Sequence, residues 1–538
     1  MSNPPNTTQI LVIGGGPAGS YAASVLAREG LSVVLVEATQ FPRYHIGESM
    51  LPSIRPFMRF IDAEEKVSSH GFTFKRGVAT KLRQDKKEGY SDFIAMGHDN
   101  GAWNVIRSEF DDLLLSHASK CGAAVFQETA IKEIRFDACT PGRPVAASWC
   151  KSDDQTGEIT FDYLIDCSGR NGIMSTKYLK NRTLNRSLNN FACWGYWEHT
   201  ERYMPNSNRD NAIWLEALED ESGWVWFIPL HDGSKSIGIV MDKQIMLAKR
   251  KAKQPGDNGR QSLQDFYLEE LKRVPGVIKL IGKGTLRNTG KTDAVKMAND
   301  QSYAATSYAG DHFRIAGDAG AFIDPFFSSG VHLAFTGALS AAITICASIR
   351  GSVSESEAAL WHDAKVGSAY TRFLLVVLGT YKQMRNQHLP IMSDIDEDNF
   401  DRAFDLIRPV IQGTADVGHR LSEDELQKTM DFCQNIFAPT TPEMYASVQA
   451  RVSPELMSPT GPIMTSADLD RILDPGDIDA KLVLSEINAR KAIHPMYSAT
   501  VNFGVEYHRG LTAVMKHGKL GLVGKKEGGE IVIPSSKC

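Results

Sequence analysis

Residues 9–37 constrain the fold of this chain more than any other stretch. Residues 9–13 read as a buried strand, Gly14-Gly15-Gly16-Pro17-Ala18-Gly19 as a tight turn, 17–29 as a helix and 32–37 as a second strand. A βαβ opening of this kind commits the chain to a parallel sheet covered by helices. Gly14 permits the turn, Gly16 lets the backbone approach a pyrophosphate, and Gly19 lets helix and strand pack closely. The helix N-terminus, entered through Pro17 and Ala18, then faces the phosphates. Glu37 ends the second strand, where an acid hydrogen-bonds a ribose hydroxyl. Strand, turn, helix and acid together specify a dinucleotide site.

Further along, 103–117 carries helical spacing after a short strand, 123–136 reads as strand, turn, strand, and 161–167 as another strand. From 190 to 241 the pattern turns β-rich, with short strands at 191–197, 212–215, 223–229 and 236–241. A strand at 313–316 returns before a Gly/Ser-rich turn and a long helix at 331–349. Segments 355–388, 397–412 and 422–437 have helical periodicity, interrupted by Pro439 and by the Pro/Ser/Thr-rich 453–467. The last ~30 residues, rich in Gly and Lys, read as mobile. The expected fold is α/β. A nucleotide-binding domain comes from 1–190 and 301–350, an added β-sheet substrate region from 191–300, and a helical C-terminal region from 351–538.

A net charge of −5 implies no polyanion, hence no nucleic-acid partner. The apolar run 373–378 falls far short of the ~20 residues that span a bilayer, so no membrane partner is expected. None of the eight cysteines forms a CxxC or CxH pair. That argues against a metal site and for reduced thiols in a cytoplasmic protein.

Two later motifs select FAD over NAD. Arg314-Ile315-Ala316-Gly317-Asp318-Ala319 follows a strand and precedes a helix, offering a second helix N-terminus and, in Asp318, an acid for ribityl hydroxyls. Asp166-Cys167-Ser168-Gly169 ends another strand. This trio resembles the FAD pattern of the single-component aromatic hydroxylases, and Arg107 matches their arginine near the flavin.

Within that superfamily the chain resembles the flavin-dependent halogenases, over roughly residues 8–390. Four places carry the likeness: Trp224-Val225-Trp226-Phe227-Ile228-Pro229; Lys75 within Phe72-Thr73-Phe74-Lys75-Arg76-Gly77; Phe322-Ile323-Asp324-Pro325-Phe326-Phe327-Ser328-Ser329-Gly330; and Arg43-Tyr44-His45-Ile46-Gly47-Glu48-Ser49, which is similar to the strap linking flavin and substrate sites. The resemblance implies a halide, chloride or bromide, held at Ser329 and Gly330. It also implies Val331 and Glu48 against the cofactor, and Lys75 receiving hypohalous acid made from reduced FAD (FADH2) and O2. Whether Lys75 would carry halogen as a chloramine or hold hypohalous acid by a hydrogen bond stays open. On a strand, Trp224 and Trp226 share a face. They would wall the substrate off from the flavin.

Tryptophan halogenases carry a glutamate where this chain has Phe327, which argues for another arene. The strap and the segment through His70-Gly71-Phe72 resemble fungal enzymes acting on phenolic polyketides, so a free phenolic substrate is expected. The resemblance also implies a separate flavin reductase as partner. The competing reading is an FAD- and NADPH-dependent aromatic monooxygenase, which needs neither Lys75 nor the tryptophan pair. A non-catalytic flavoprotein would leave both of these, and the Ser-Gly turn, without a task.

Overall fold

Thr7–Ile13 is the central strand of a sheet whose parallel core runs Phe313–Ile315, Thr156–Asp166, Thr7–Ile13, Val33–Val36, Ala124–Phe126. The computed structural model describes residues 3–252, 262–288, 290, 293–388, 428, 440–458, 461–497 and 500–524. Ile10, Val12 and Leu35 pack on one face against the helices Pro17–Arg28, Arg107–Lys120 and Gly330–Ile349. Leu11, Ile13, Val34 and Val36 pack on the other, against Ile134 of Thr129–Phe136 and Trp149 of Pro144–Lys151. Burial on both faces explains why these strands read as unbroken apolar runs. Gly330–Ile349 is long and apolar enough to cross a bilayer, yet it is packed inside the protein between Pro17–Arg28 and the helix Glu355–Met384.

A second, nine-stranded sheet stands over this unit. Its main path runs Ala321–Phe322, Val295–Ala305, Arg182–Glu198, Lys235–Asp242, Gly223–Pro229, Ile213–Ala217, Gly77–Lys81, Gly89–Asp92. Side chains alternate as the period of a strand requires. Val225 and Phe227 face the helices Leu263–Leu271 and Pro275–Ile281, while Trp224, Trp226 and Ile228 face Glu355–Met384. The sheet draws on more of the chain than 191–300, taking strands from 77–92 and 321–322. Val295–Ala305 escaped the sequence reading because Lys296, Asn299, Asp300 and Gln301 break its apolar alternation. Polar residues are tolerated there because Asp300 borders a cavity, Asn299 is exposed, and Lys296 and Gln301 are half-buried.

Glu355–Met384 begins at a reciprocal cap between Ser354 and Glu357 and lays Tyr370, Phe373, Val377 and Tyr381 onto the tryptophan face. Further helices, Pro442–Gln449, Ser466–Ile472 and Ile478–Tyr497, form a small core of their own around Val448, Leu469, Val483 and Leu484. The helices expected at 397–412 and 422–437 lie outside the described residues, apart from Lys428. The expectation of a mobile final segment is corrected for its described part. Leu511–Val514 pairs with Gly521–Gly524, and Ala513, Leu520 and Leu522 are buried against the core helices. The glycine-rich composition that suggested looseness instead serves the hairpin turn, where Gly518 has φ +74°.

Candidate active site

The glycine turn has the geometry of a phosphate cradle. Gly14 has φ +101°, and a Cβ on it would meet the Cys167 carbonyl oxygen at 2.3 Å. A Cβ on Gly19 would strike the Gly14 carbonyl at 1.8 Å, so this residue allows the helix to close on the strand. Gly16, the N-cap, has only the far end of Arg43 within 4 Å of such an atom, which leaves room for a ligand against the backbone. Glu37 is already engaged, accepting from Gly15 N at 2.6 Å and from Thr39 N and Oγ1 at 2.9 and 2.7 Å. Its carboxylate retains lone pairs for a ribose hydroxyl.

Arg107 opens Arg107–Lys120 and is buried, not a surface helix-start residue. It forms a fork on Asp111 at 2.8 and 3.0 Å and donates to the carbonyls of Ile46 and Gly47 at 2.8 and 3.3 Å. Arg43 reaches the same Asp111 at 2.9 Å. The strap 43–49 is thus clamped at both ends. These bonds leave one of the five guanidinium N–H groups for a cofactor. Glu48, on the strap, is 3% exposed. Tyr196 donates to its Oε1 at 2.7 Å, and its Oε2 has no partner. Burial pushes its carboxyl up to about 7.

Lys75 ends the short strand Thr73–Lys75, pairs with Ala102 of Ala102–Asn104, and is 2% exposed. Among the described residues no carboxylate pairs with it. Nζ donates to Ser49 Oγ at 2.7 Å and to the Met50 carbonyl at 2.9 Å, and lies 5.1 Å from the Phe93 ring centre. Burial lowers its pKa to about 7. Ser328 donates to the same Ser49 oxygen at 2.9 Å. Ser328 has φ +55°, which turns the chain into Gly330–Ile349. Ser329 is fully buried with its Oγ unpartnered, and the first N–H groups of the following helix have no intrahelical acceptor. The Gly317-Asp318 motif itself opens only a single 3₁₀ turn, Gly317–Ala319. The expected second helix N-terminus lies further on, at Gly330. Asp318 borders the cavity, and burial raises its pKa against the pull of Arg170, Arg107 and Arg182.

Trp224 and Trp226 stand side by side with ring centres 5.9 Å apart. Trp224 donates to Tyr381 at 2.9 Å, Tyr381 donates to Asp324 at 2.6 Å, and Phe326 meets the Trp224 ring edge-on at 4.9 Å. The tryptophan pair is thereby tied to the segment that shapes the Ser-Gly turn. A cavity of about 1000 Å³ joins these parts. Of the residues singled out from sequence, Gly14, Gly16, Pro17, Ala18, Glu37, Glu48, Lys75, Arg107, Trp224, Trp226, Asp318, Gly330 and Val331 line it. Gly19 and Ser329 lie behind its wall. Separate flavin and substrate compartments were expected, whereas the glycine turn and Lys75 open onto one continuous space. The clusters His70/Glu109/His231 and Asp311/His312/Glu355 bring potential metal-ligand atoms within 4.8 Å of one another, but both lie outside the cavity.

The family model described as Tryptophan halogenase matches residues 9–139 and 98–447. Flavin-dependent halogenase armH1 of Armillaria mellea is 55% identical over 524 residues, covering 96% of this chain and 99% of the relative. The chain is a flavin-dependent halogenase. Sulochrin halogenase gedL of Aspergillus terreus is 48% identical to this halogenase over 464 residues, covering 83% of it and 82% of the relative. The solved flavin-dependent halogenase CmlS shares the fold, with a TM-score of 0.67 at 22% identity over 98% of this halogenase and 86% of that chain. Membership excludes the monooxygenase and the non-catalytic flavoprotein. FAD is the cofactor of this enzyme class. The open Gly16 cradle and the unpartnered Glu48 Oε2 on the same cavity wall suit it.

Sequence reasoning missed several residues of the halogenase's cavity. His332 borders it, and its Nδ1 lies 2.7 Å from Ser53 Oγ. Burial, with Lys365 adding to it, lowers its pKa to about 3, so the ring is neutral. Phe93 and Phe373 join Phe327, already singled out from the sequence, in adding apolar wall. Arg490 enters from Ile478–Tyr497, held by the Asp92 carbonyl at 2.9 Å and by Glu486. A helical signal near 332 was read, but nothing in the spacing of Ser53 and His332 announces their contact.

Proposed function

We propose that this halogenase chlorinates a free phenolic, polyketide-type arene, with Lys75 carrying the halogen. Reduced FAD and O2 supply the oxidant, in the sum reduced flavin + O2 + halide + H⁺ → oxidised flavin + hypohalous acid + water. The chain's residues do the rest. Gly14, Gly16, Pro17, Ala18, Gly19 and Glu37 hold the nucleotide, and Glu48, Arg107, Asp318 and Val331 surround the flavin end. Backbone N–H groups at Ser329 and Gly330 hold chloride or bromide. Trp224 and Trp226 line one wall of the continuous cavity, through which hypohalous acid passes to Lys75. At Lys75 the neutral amine attacks halogen, forming N–Cl and releasing water, and the arene then takes chlorine as the amine recovers its proton. Reduced flavin comes from a separate reductase.

The single observation carrying this reading is a buried lysine that has no counter-ion among the described residues, joined through one serine hydroxyl to the turn that precedes Gly330. A phenol suits the wall of Phe93, Phe327 and Phe373, with neutral His332 to bond its hydroxyl. Phe327 offers no carboxylate to orient an indole N–H. The relative named for sulochrin supports a discrete small-molecule substrate.

The test uses purified protein, a flavin reductase, NADH, chloride and a resorcinol-type phenol, with product mass as readout. Wild type yields chlorinated phenol. Lys75→Ala loses it while still oxidising reduced flavin and releasing peroxide. Product that gains oxygen in place of chlorine, or Lys75→Ala working at the normal rate, overturns the reading.

A further inference from the structure

A line of hydroxyls runs from the protein surface to Glu48. Tyr44 is 50% exposed, and its hydroxyl accepts the Trp194 indole N–H at 2.7 Å. It lies 3.0 Å from the Tyr196 hydroxyl, which donates to Glu48 Oε1 at 2.7 Å. The direction of these bonds follows from the donor inventory. Tyr196 spends its proton on Glu48, so Tyr44 donates to Tyr196. Trp194 fills one lone pair on Tyr44 and leaves the other for solvent. At the inner end, Glu48 borders the cavity and its Oε2 is buried without a partner.

We propose that Tyr44, Tyr196 and Glu48 form a proton relay from solvent to the flavin end of the cavity. The inference rests on the flavin occupying that end. Making each hypohalous acid consumes one proton, by the sum given above, and Glu48 borders the cavity where that proton is needed. Glu48 gives up a proton from Oε2 as Oε1 takes the one from Tyr196. Tyr196 refills from Tyr44, and Tyr44 from water. One proton enters, one leaves, and each carrier keeps its charge.

The local electrostatics fit this use. Tyr196 and Ser236 hydroxyls and the Arg107 guanidinium draw the Glu48 carboxyl down, Asp232 pushes it up, and burial outweighs them to leave it near 7, so the acid form is populated at neutral pH. Burial raises both phenols, Tyr44 to about 12, so they pass protons without ionising. The Lys296 ammonium over the Tyr44 ring, at 4.8 Å, guards the outer end.

The test combines infrared titration of the FAD-free protein with turnover of the loaded enzyme. Wild type shows a protonated-carboxyl band with a midpoint near pH 7 that is absent from Glu48→Gln. Tyr196→Phe shifts that band and moves its midpoint upward, because the carboxylate loses a donor. In turnover, Tyr196→Phe binds FAD and oxidises reduced flavin as wild type does. Its halogenated product falls at least about tenfold, with peroxide release rising to match. The relay is overturned if Tyr196→Phe leaves the band unmoved, or if Tyr196→Phe and Glu48→Gln couple flavin oxidation to halogenation as wild type does. Failure of the wild type to bind FAD, read by flavin fluorescence, instead overturns the cofactor placement on which the relay rests.

Discussion

Lys75 Nζ lies 2.7 Å from Ser49 Oγ, and this contact defines what the amine can do. A second bond, to the Met50 carbonyl at 2.9 Å, fixes another of its tetrahedral directions. A neutral amine has two hydrogens, which these acceptors satisfy, and its lone pair is left for the cavity that Lys75 borders. An ammonium in the same place would show the cavity an N–H instead. With a pKa near 7 the amine form is well populated at physiological pH, as the proposed capture of halogen at Lys75 requires.

Selective halogen capture follows. When limiting hypochlorite is added to FAD-free protein at pH 7, the Lys75 peptide gains chlorine ahead of surface lysines, which at a pKa of about 10.4 hold almost no free amine. The preference fades as pH rises toward 10 and the surface amines deprotonate. Peptide mass spectrometry reads the ratio. A preference that grows with pH contradicts a neutral Lys75 near pH 7 and favours the hydrogen-bonded alternative.

The same depressed pKa costs stability. Above pH 7 the folded chain holds a neutral amine while the unfolded chain still binds the proton, so wild-type stability climbs with pH up to about 10.4. Lys75→Met removes this dependence. In urea unfolding, its stability relative to wild type therefore declines by about 3 kcal/mol between pH 6 and pH 9, being most favourable at the acid end. A constant difference across that range places Lys75 in an environment that does not depress it.

Ser49 ties Lys75 to the turn at Ser328, so removing its hydroxyl affects both. Ser49→Ala withdraws an acceptor from the lysine, lowers the lysine's pKa further and frees the Ser328 side chain. Stability changes by about 1–2 kcal/mol, the range for one buried hydrogen bond. Halogenation falls about tenfold and peroxide release rises, while reduced-flavin oxidation persists. Ser328→Ala, which leaves both Lys75 bonds intact, has the smaller effect on capture of added hypochlorite and an equal effect on halide dependence.

What could be read in the sequence was what is local in it. The turn at Gly14, the strand holding Trp224 and Trp226, Lys75 before its glycine, and the turn into Gly330 each carry their chemistry in neighbouring residues. The strands at 77–81 and 295–305 were not legible, because their pairing partners and the cavity they border decide which polar residues they tolerate. Pairs such as Ser49 with Ser328, Ser53 with His332 and Tyr196 with Glu48 join residues more than a hundred positions apart. Each is an ordinary hydroxyl, imidazole or carboxyl until the fold sets it beside its partner, and no spacing rule marks it beforehand.

Arg107 and Asp111, four positions apart on one helix, act at a distance from the chemistry. Asp111 is fully buried and answers both Arg107 and Arg43, so Asp111→Ala strands a buried guanidinium and costs about 3–5 kcal/mol in urea unfolding. Replacing the pair by apolar residues, Arg107→Leu with Asp111→Leu, removes the stranded charge and recovers most of that loss. It does not restore the donors to the Ile46 and Gly47 carbonyls, so the strap carrying Glu48 and Ser49 stays loose. The double variant therefore unfolds near the wild-type urea midpoint but binds FAD at least about tenfold more weakly and releases peroxide in place of halogenated product. If the double variant regains both stability and FAD affinity, the pair serves packing alone and the strap does not depend on it.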